Sequence, residues 1–342
     1  MPTVLESLNA ALHRAFSDDE SVYLLGEDVL DPYGGAFKVT RGLSTAFPQR
    51  VMTTPISEAG IVGVATGMAL RGLRPVVEIM FGDFLTLAAD QLLNHAAKFA
   101  WMYNDQVSVP LVVRTTMGGR RGYGPTHSQT LEKHFLGAPG LSIQAPAALC
   151  APEQAGSPGD LLYHAILKGS QPTLFIENKL LYPLAVSDET NLPEFAITRV
   201  SGRQNGADSP FFTLTIRGAP APSLTLAAYG YMAELARQAM LRLAYEHEIF
   251  TELLVPTQLS PFSLEPIIAS ARRTGKLLTM EEGTLSLGWG AEVLARCAEA
   301  LANRPLRARR LAARDLPVPA SAPLEAAVLP GVDEIIQMAL EM

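Results

Sequence analysis

A single carboxylate, Glu58, opens the otherwise apolar, glycine-spaced run TTPISEAGIVGVATGMAL at residues 53–70. Ser57 stands where a helix N-cap belongs, which puts Glu58 in the first turn, beside unpaired N–H groups and the positive end of the macrodipole. A helix-terminal charge would suffice to explain that position. The rest of the run points further. Gly60, Gly63 and Gly67 fall at i, i+3 and i+7, so one helix face is bare, at roughly 1 kcal/mol per glycine against alanine. A bare face implies close approach of another element. The other positions are apolar nearly all round, as in a buried helix. A carboxylate in such a setting resists ionisation and can hold or share a proton.

Two further segments carry reactive side chains. In EIMFGDFLTLAADQLLNHAAKFAWMYN (78–104), Phe84 sits where a strand turns into a helix, and Asp90, Asn94 and Lys98 form an i+4 stripe. The stripe reads either as a solvated face or as an interface. Phe84 reads as core or as a ring platform at the corner where open α/β sheets bind ligands. In RTTMGGRRGYGPTHSQTLEKHF (114–135), a loop with four glycines presents His127, next to Ser128 and Gln129. Such backbone can approach a ligand closely. Arg120 and Arg121 in this loop either clamp an anion or only solubilise it. The chain has no phosphate-binding Walker loop, dinucleotide fingerprint, nucleophile elbow or metal-spaced His/Asp/Glu cluster.

The elements that must position these residues alternate along the chain. Apolar strands are expected at 21–26, 74–80, 109–116 and 172–177, with helices at 4–16, 58–71, 84–102 and 160–168. Strands this apolar are buried on both faces, so the fold class is α/β, a parallel sheet covered by helices. From 191 to 222 the composition turns to Pro, Gly and polar residues, which reads as linker and loops. A second α/β block follows, with strands at 224–230, 249–255 and 276–281 and helices at 231–246, 264–273 and 289–302. The expected organisation is therefore a first domain over 1–190, a linker over 191–222 and a second domain over 223–342, with 342 residues ample for two cores.

The net charge of −7 leaves no basic footprint for nucleic acid, and no apolar run reaches membrane-spanning length. The cluster Arg307, Arg309 and Arg310 reads as a solvated edge. The first residues show no charged leader before an apolar segment; they read as a helix with Thr3 and Glu6 as capping box. Cys150 and Cys297 are single and far apart, which suits a reducing, cytoplasmic setting.

In order and spacing, GEDV, GGAFKVTRGL, TTPISEAGIVGVATGMALRGLRPVVEI, FGDF, ADQLLNHAAK and THSQ, and later EEGTLSLGWGAEV and ARDLPVPASAPLE, resemble beta subunits of the thiamine-diphosphate-dependent, decarboxylating component of 2-oxo acid dehydrogenase complexes. The resemblance covers nearly the whole chain and is strongest over the first 145 residues. It implies a pyrimidine-binding domain followed by a transketolase C-terminal-like domain. It also implies that Glu58 exchanges a proton with N1′ of the cofactor's aminopyrimidine. Phe84 would stack on that ring with Ile56 and Met80 beside it, and His127 would face the thiazolium side. The family's Gly-Asp-Gly motif for diphosphate and Mg²⁺, which lies on an alpha subunit, is absent here. The cofactor is then shared with an alpha-type partner in an α2β2 assembly, to which a lipoyl acyltransferase can bind.

Some segments depart from the family. APAALCAPEQAGSPGDLLYHAI is rebuilt, LLVPTQLSPF lacks an arginine, and ILKGSQPT alters a turn near which some members hold structural K⁺ on backbone carbonyls. The functions this implies are a pyruvate-type dehydrogenase subunit or a stand-alone carboligase that uses a carbonyl acceptor. A third reading, of another class, is a non-catalytic structural partner.

Overall fold

Alternate residues of each central strand enter different cores. Leu24, Val76, Val112 and Phe175 pack with the helices Val4–Asp18 and Pro158–Lys168. Their neighbours Leu25, Val77, Val113 and Ile176 pack with the helix Glu58–Leu70 and the segment after it. This period-two split, with both faces buried, is the physical content of an apolar parallel strand. At about 1.5–3 kcal/mol per fully buried aliphatic side chain, these two layers dominate the stability of the first sheet. The capping box that starts the first helix is formed: Thr3 N donates to Glu6 Oε2 (2.8 Å) and Glu6 N to Thr3 Oγ1 (3.2 Å).

The computed structural model describes residues 1–204 and 207–342, and of the side chains at 201–209 nothing is said. The strands are β1 (Val22–Gly26), β2 (Val51–Thr53), β3 (Arg74–Ile79), β4 (Val112–Met117), β5 (Ser142–Gln144), β6 (Thr173–Asn178), β7 (Phe195–Gln204), β8 (Ala207–Ile216), β9 (Leu224–Ala228), β10 (Thr251–Pro256), β11 (Gln258–Ser260), β12 (Lys276–Thr284) and β13 (Arg307–Ala313). The first sheet runs β11-β5-β6-β4-β3-β1-β2 and is parallel except for β11 against β5. The second runs β13-β12-β9-β10-β8-β7, parallel through its first four strands and antiparallel in the last two pairings. Each is a mostly parallel sheet with helices on both faces. In the second, one face packs on the helices Gly230–His247 and Val332–Leu340, and the other meets Glu265–Thr274 and Trp289–Ala300.

Three expectations need correction. The stretch 191–222 is not linker: β7 and β8 run antiparallel and extend the second sheet from β10. Alternating apolar residues such as Phe195, Phe212 and Leu214 supply the buried face, a signal masked by the intervening Pro, Gly and polar residues. Residues 205 and 206 of that stretch lie outside the described residues.

The helix expected over 84–102 is broken. A 3₁₀ turn (Gly82–Phe84), an α-helix (Leu85–Asp90), a π-helical turn (Gln91–Ala96) and a short helix (Phe99–Met102) replace it. Gly140 lies against the break, where an added Cβ would stand 2.0 Å from Ala97 O. π turns interrupt helices in this way without any breaker in the sequence.

The helix Glu58–Leu70 is not enclosed all round. Gly60, Val64 and Gly67 are exposed, while Gly63 meets Gln91, whose Oε1 is 3.1 Å from where a Cβ would be.

The arginines of the expected basic edge lie on edge strand β13. Arg307 donates to Met342 O (2.9 Å) and Glu341 O (2.6 Å), and Arg310 to Leu285 O (2.9 Å). Charged edge strands of this kind resist pairing with other chains. Among the described residues no helix is long and apolar enough to cross a membrane.

Several buried carboxylates make stability depend on pH. Burial is the first cause raising Glu27, Glu78, Glu132 and Glu281 above the ordinary glutamate range, Glu281 to about 7. A raised folded-state value means the folded chain binds more protons than the unfolded one. Its contribution is fully present below the unfolded value and is lost as pH rises through the folded one, at about 1.4 kcal/mol per pH unit for each proton held. The urea midpoint of the chain is therefore expected to fall between pH 5.5 and 7.5. A midpoint that rises over that interval would show these groups ionised in the fold.

Candidate active site

Five parallel strands end side by side, in the order β2, β1, β3, β4, β6. The loops leaving those carboxyl ends carry nearly all the candidate residues, at the edge where open α/β sheets bind ligands. After β2 comes Glu58, 5% exposed and first in its helix. Ser57 is the N-cap residue, but its side chain makes no capping bond, and the Glu58 carboxylate sits in the first turn, near the positive helix end.

After β1 comes Glu27, 8% exposed, whose Oε1 has no hydrogen-bond partner. Burial raises Glu27 first and the charge of Glu58 second. The Glu58 charge thus makes Glu27 harder to ionise than burial alone would. Within GEDV the sequence alone assigns Glu27 no role. The available signal was its place directly after an apolar strand.

After β3 come Met80, half-buried, and the turn Phe81–Gly82–Asp83–Phe84. After β4 comes the loop with His127. The structure brings Phe84 and His127 together: their ring centroids are 5.3 Å apart, edge to face, and Phe81 meets the imidazole at 4.8 Å. Buried Asp83 accepts from Gln129 Nε2 (2.8 Å), which ties the two strand ends to each other. The carboxylate pair Glu27 and Glu58 belongs to the β1 and β2 side of this aromatic group. Ile56, just ahead of Glu58, is 84% exposed.

The glycine-rich loop is held from the second domain. Gly119 N donates to Glu282 Oε1 (2.6 Å), and Arg120 N and Gly122 N donate to the two oxygens of Glu325 (2.7 and 3.3 Å). Gly118, at φ +98°, lets the chain pass Asn178, whose Nδ2 would be 2.5 Å from an added Cβ. Arg120 is part of this anchorage, since its Nη2 donates to Pro330 O (2.5 Å). Arg121 is exposed. Beneath the strand ends, Arg114 forms a bidentate pair with Glu177 (2.7 Å on both arms) and reaches Glu78 (2.8 Å). This buried ion group joins β3, β4 and β6, and removing one partner of such a group costs about 3–5 kcal/mol.

Asp90, Asn94 and Lys98 form a hydrogen-bonded chain among themselves on the surface (2.9 and 2.8 Å). In the turn linked by resemblance to potassium, Arg74 Nη1 occupies Ile166 O (2.8 Å) and Gly169 O (3.0 Å). Among the described residues no group of three or more His, Cys, Asp or Glu side chains could hold a metal ion.

Residues 1–185 match the transketolase pyrimidine-binding domain family and residues 216–335 the transketolase C-terminal domain family. The chain is 36% identical to the pyruvate dehydrogenase E1 component subunit beta-2, mitochondrial, of Oryza sativa subsp. japonica, over 98% of this chain and 85% of that protein. It is 33% identical to the 3-methyl-2-oxobutanoate dehydrogenase subunit beta of Mycobacterium tuberculosis, over 98% and 90%. With the acetoin:2,6-dichlorophenolindophenol oxidoreductase subunit beta of Bacillus subtilis it shares 32%, over 98% and 96%. The fold is also that of a solved split-gene transketolase, described as an inactive beta4 tetramer, at TM-score 0.73 and 20% identity over 100% of this chain and 98% of that one. Above 30% identity along 98% of its length, with both transketolase domains in place, the chain belongs to the family of 2-oxo acid dehydrogenase E1 beta subunits.

Proposed function

We propose that the chain is the beta subunit of a two-subunit, thiamine-diphosphate-dependent enzyme that decarboxylates a 2-oxo acid such as pyruvate and passes the acyl fragment to an acceptor such as lipoamide. The observation that carries this reading is that Glu58, Phe84 and His127 all follow the carboxyl ends of strands of one parallel sheet, β2, β3 and β4, with β1 between the first two and the Phe84 and His127 rings in contact. The residues present fit the aminopyrimidine end of the cofactor: a buried carboxylate, an orphaned oxygen on its neighbour Glu27 and a half-buried aromatic ring.

Glu58 holds and returns a proton at the pyrimidine ring nitrogen, with Glu27 as its electrostatic neighbour. Phe84 is the ring platform, flanked by Ile56 and Met80. His127, steadied by Phe81, exchanges protons with the substrate or acceptor. Bound there, thiamine diphosphate would supply the carbon nucleophile that a 2-oxo acid needs to lose CO₂. An alpha-type subunit holds the diphosphate and Mg²⁺ in an α2β2 assembly, and a lipoyl acyltransferase is its further partner. The exposed helix face of Gly60, Val64 and Gly67 offers that assembly a close approach. A cytoplasmic location suits the two buried, unpaired thiols.

Co-expression with an alpha-type subunit and assay of 2-oxo acids with a dye, lipoamide and carbonyl acceptors tests the reading. Absence of decarboxylation by the purified assembly for every acid would overturn it, and transfer only to carbonyl acceptors would replace the dehydrogenase with a carboligase. The anion clamp now rests on Arg121, since Arg120 anchors the loop. Arg121→Ala is expected to raise KM for the anionic reactant about tenfold, the equivalent of about 1.4 kcal/mol, close to the lower end for one charged hydrogen bond. An unchanged KM for every reactant would leave Arg121 as surface charge.

A further inference from the structure

Lys179 follows β6 and is completely buried, at 0% exposure. Lysine is almost never fully buried unless it is paired. Among the described residues it forms no ion pair. Its Nζ donates instead to the carbonyl oxygen of His127 (2.7 Å) and stands over two rings, Phe81 at 5.3 Å and Tyr123 at 5.1 Å from their centroids. Phe81 is the ring against which the His127 imidazole rests at 4.8 Å, and Tyr123 meets Phe81 at 6.1 Å. One ammonium thus touches the main chain of His127, the Phe81 ring that meets its imidazole, and Tyr123, which packs on Phe81.

We propose that Lys179 is a positioning residue for His127: its ammonium pins the His127 carbonyl and steadies the Phe81 edge that orients the imidazole. This rests on the reading of His127 as a proton-exchanging group of the site. The charge is what the arrangement uses. A charge-assisted hydrogen bond is roughly twice as strong as a neutral one, and the attraction to two ring faces exists only for a cation.

Burial is the first cause lowering the Lys179 amine, to about 8, with Arg121 lowering it further. Asp83 from the turn after β3, Glu282 from β12 and Glu325 from the helix Ala322–Val328 pull the other way. The ammonium is therefore present at neutral pH and lost as pH rises past about 8, and His127 loses its anchor with it.

The test uses the enzyme assembled with its alpha-type partner. Wild-type kcat is expected to fall on an alkaline limb near pH 8. Lys179→Met, which keeps the apolar stem, should lower kcat about 10- to 100-fold, the scale on which misplacing a catalytic group acts. KM for the 2-oxo acid should hold, and the limb should vanish. Lys179→Arg, charged at every pH tested, should carry activity past the wild-type limb, and with the wild-type profile it decides the matter if Lys179→Met fails to assemble. A flat wild-type profile through pH 9, or a Lys179→Met enzyme with wild-type kcat and the same limb, overturns the proposal. His127→Asn is measured in parallel. If it loses activity while Lys179→Met does not, the positioning role alone is wrong; if it is unchanged, the reading of His127 falls and takes the proposal with it.

Discussion

Glu58→Gln is expected to leave the chain folded and its association intact while lowering turnover about 100- to 10,000-fold, the range that positioned acid–base groups contribute. The amide is nearly isosteric with the carboxylate. Among the described residues no donor is hydrogen-bonded to the Glu58 side chain, so the substitution breaks no internal bond. Its structural cost is the lost attraction between a carboxylate and a helix N-terminus, typically 0.3–1 kcal/mol. That is small beside about 3–5 kcal/mol of lost transition-state stabilisation, which the rate range implies. The substitution also removes the second cause that raises Glu27, so Glu27 becomes easier to ionise and does not replace the lost proton. Steady-state rates with circular dichroism and co-elution as controls check this. Turnover equal to wild type would reduce Glu58 to a helix-terminal charge.

The legible parts of the molecule were those where one physical cause dominates locally. Val76 and Val77, or Leu24 and Leu25, are apolar because both faces of their strands are buried, and that pattern is plain in the sequence. Glu58 stood out because a lone charge in an apolar run needs a reason. The less legible parts depend on partners distant along the chain. Lys179 looks like an ordinary charged residue after a strand until His127, 52 residues earlier, is found to place its carbonyl against the amine. The anchoring of the glycine-rich loop by Glu282 and Glu325 joins positions more than 160 residues apart. Four glycines in that loop suggest mobility, yet its amides are held by these carboxylates. β11, three residues long, joins the first sheet although in the chain it lies between β10 and β12 of the second. No local periodicity predicts that. The break at Gln91–Ala96 is likewise tertiary: the segment holds no Gly or Pro, and Gly140 meets the Ala97 carbonyl at that point.

The isolated chain is expected to bind thiamine diphosphate at best in the millimolar range, and to gain tight binding only with its alpha-type partner. In the proposed site, Glu58, Glu27 and Phe84 address one ring of the cofactor and leave its anionic end to other groups. The chain has two Gly-Asp pairs, and both carboxylates are engaged. Asp83 is buried and accepts from Gln129 (2.8 Å). Asp160 accepts from Gly156 N (2.7 Å) and pairs with His164 (3.1 Å). Phe84 and Leu161 follow these pairs, where the family's diphosphate motif has glycine. The losses can be scaled. Three missing charge-assisted contacts, at roughly 1.5–3 kcal/mol each, move a micromolar site of about −8 kcal/mol to millimolar or weaker. Titration calorimetry in Mg²⁺ buffer, on the lone chain and on the co-purified assembly, measures the difference. Glu58→Gln in the assembly serves as control, since loss of the ring-nitrogen contact should weaken binding there without abolishing it. Micromolar binding by the lone chain would mean that it carries a complete cofactor site of its own, and the division of that site between two polypeptides would be wrong.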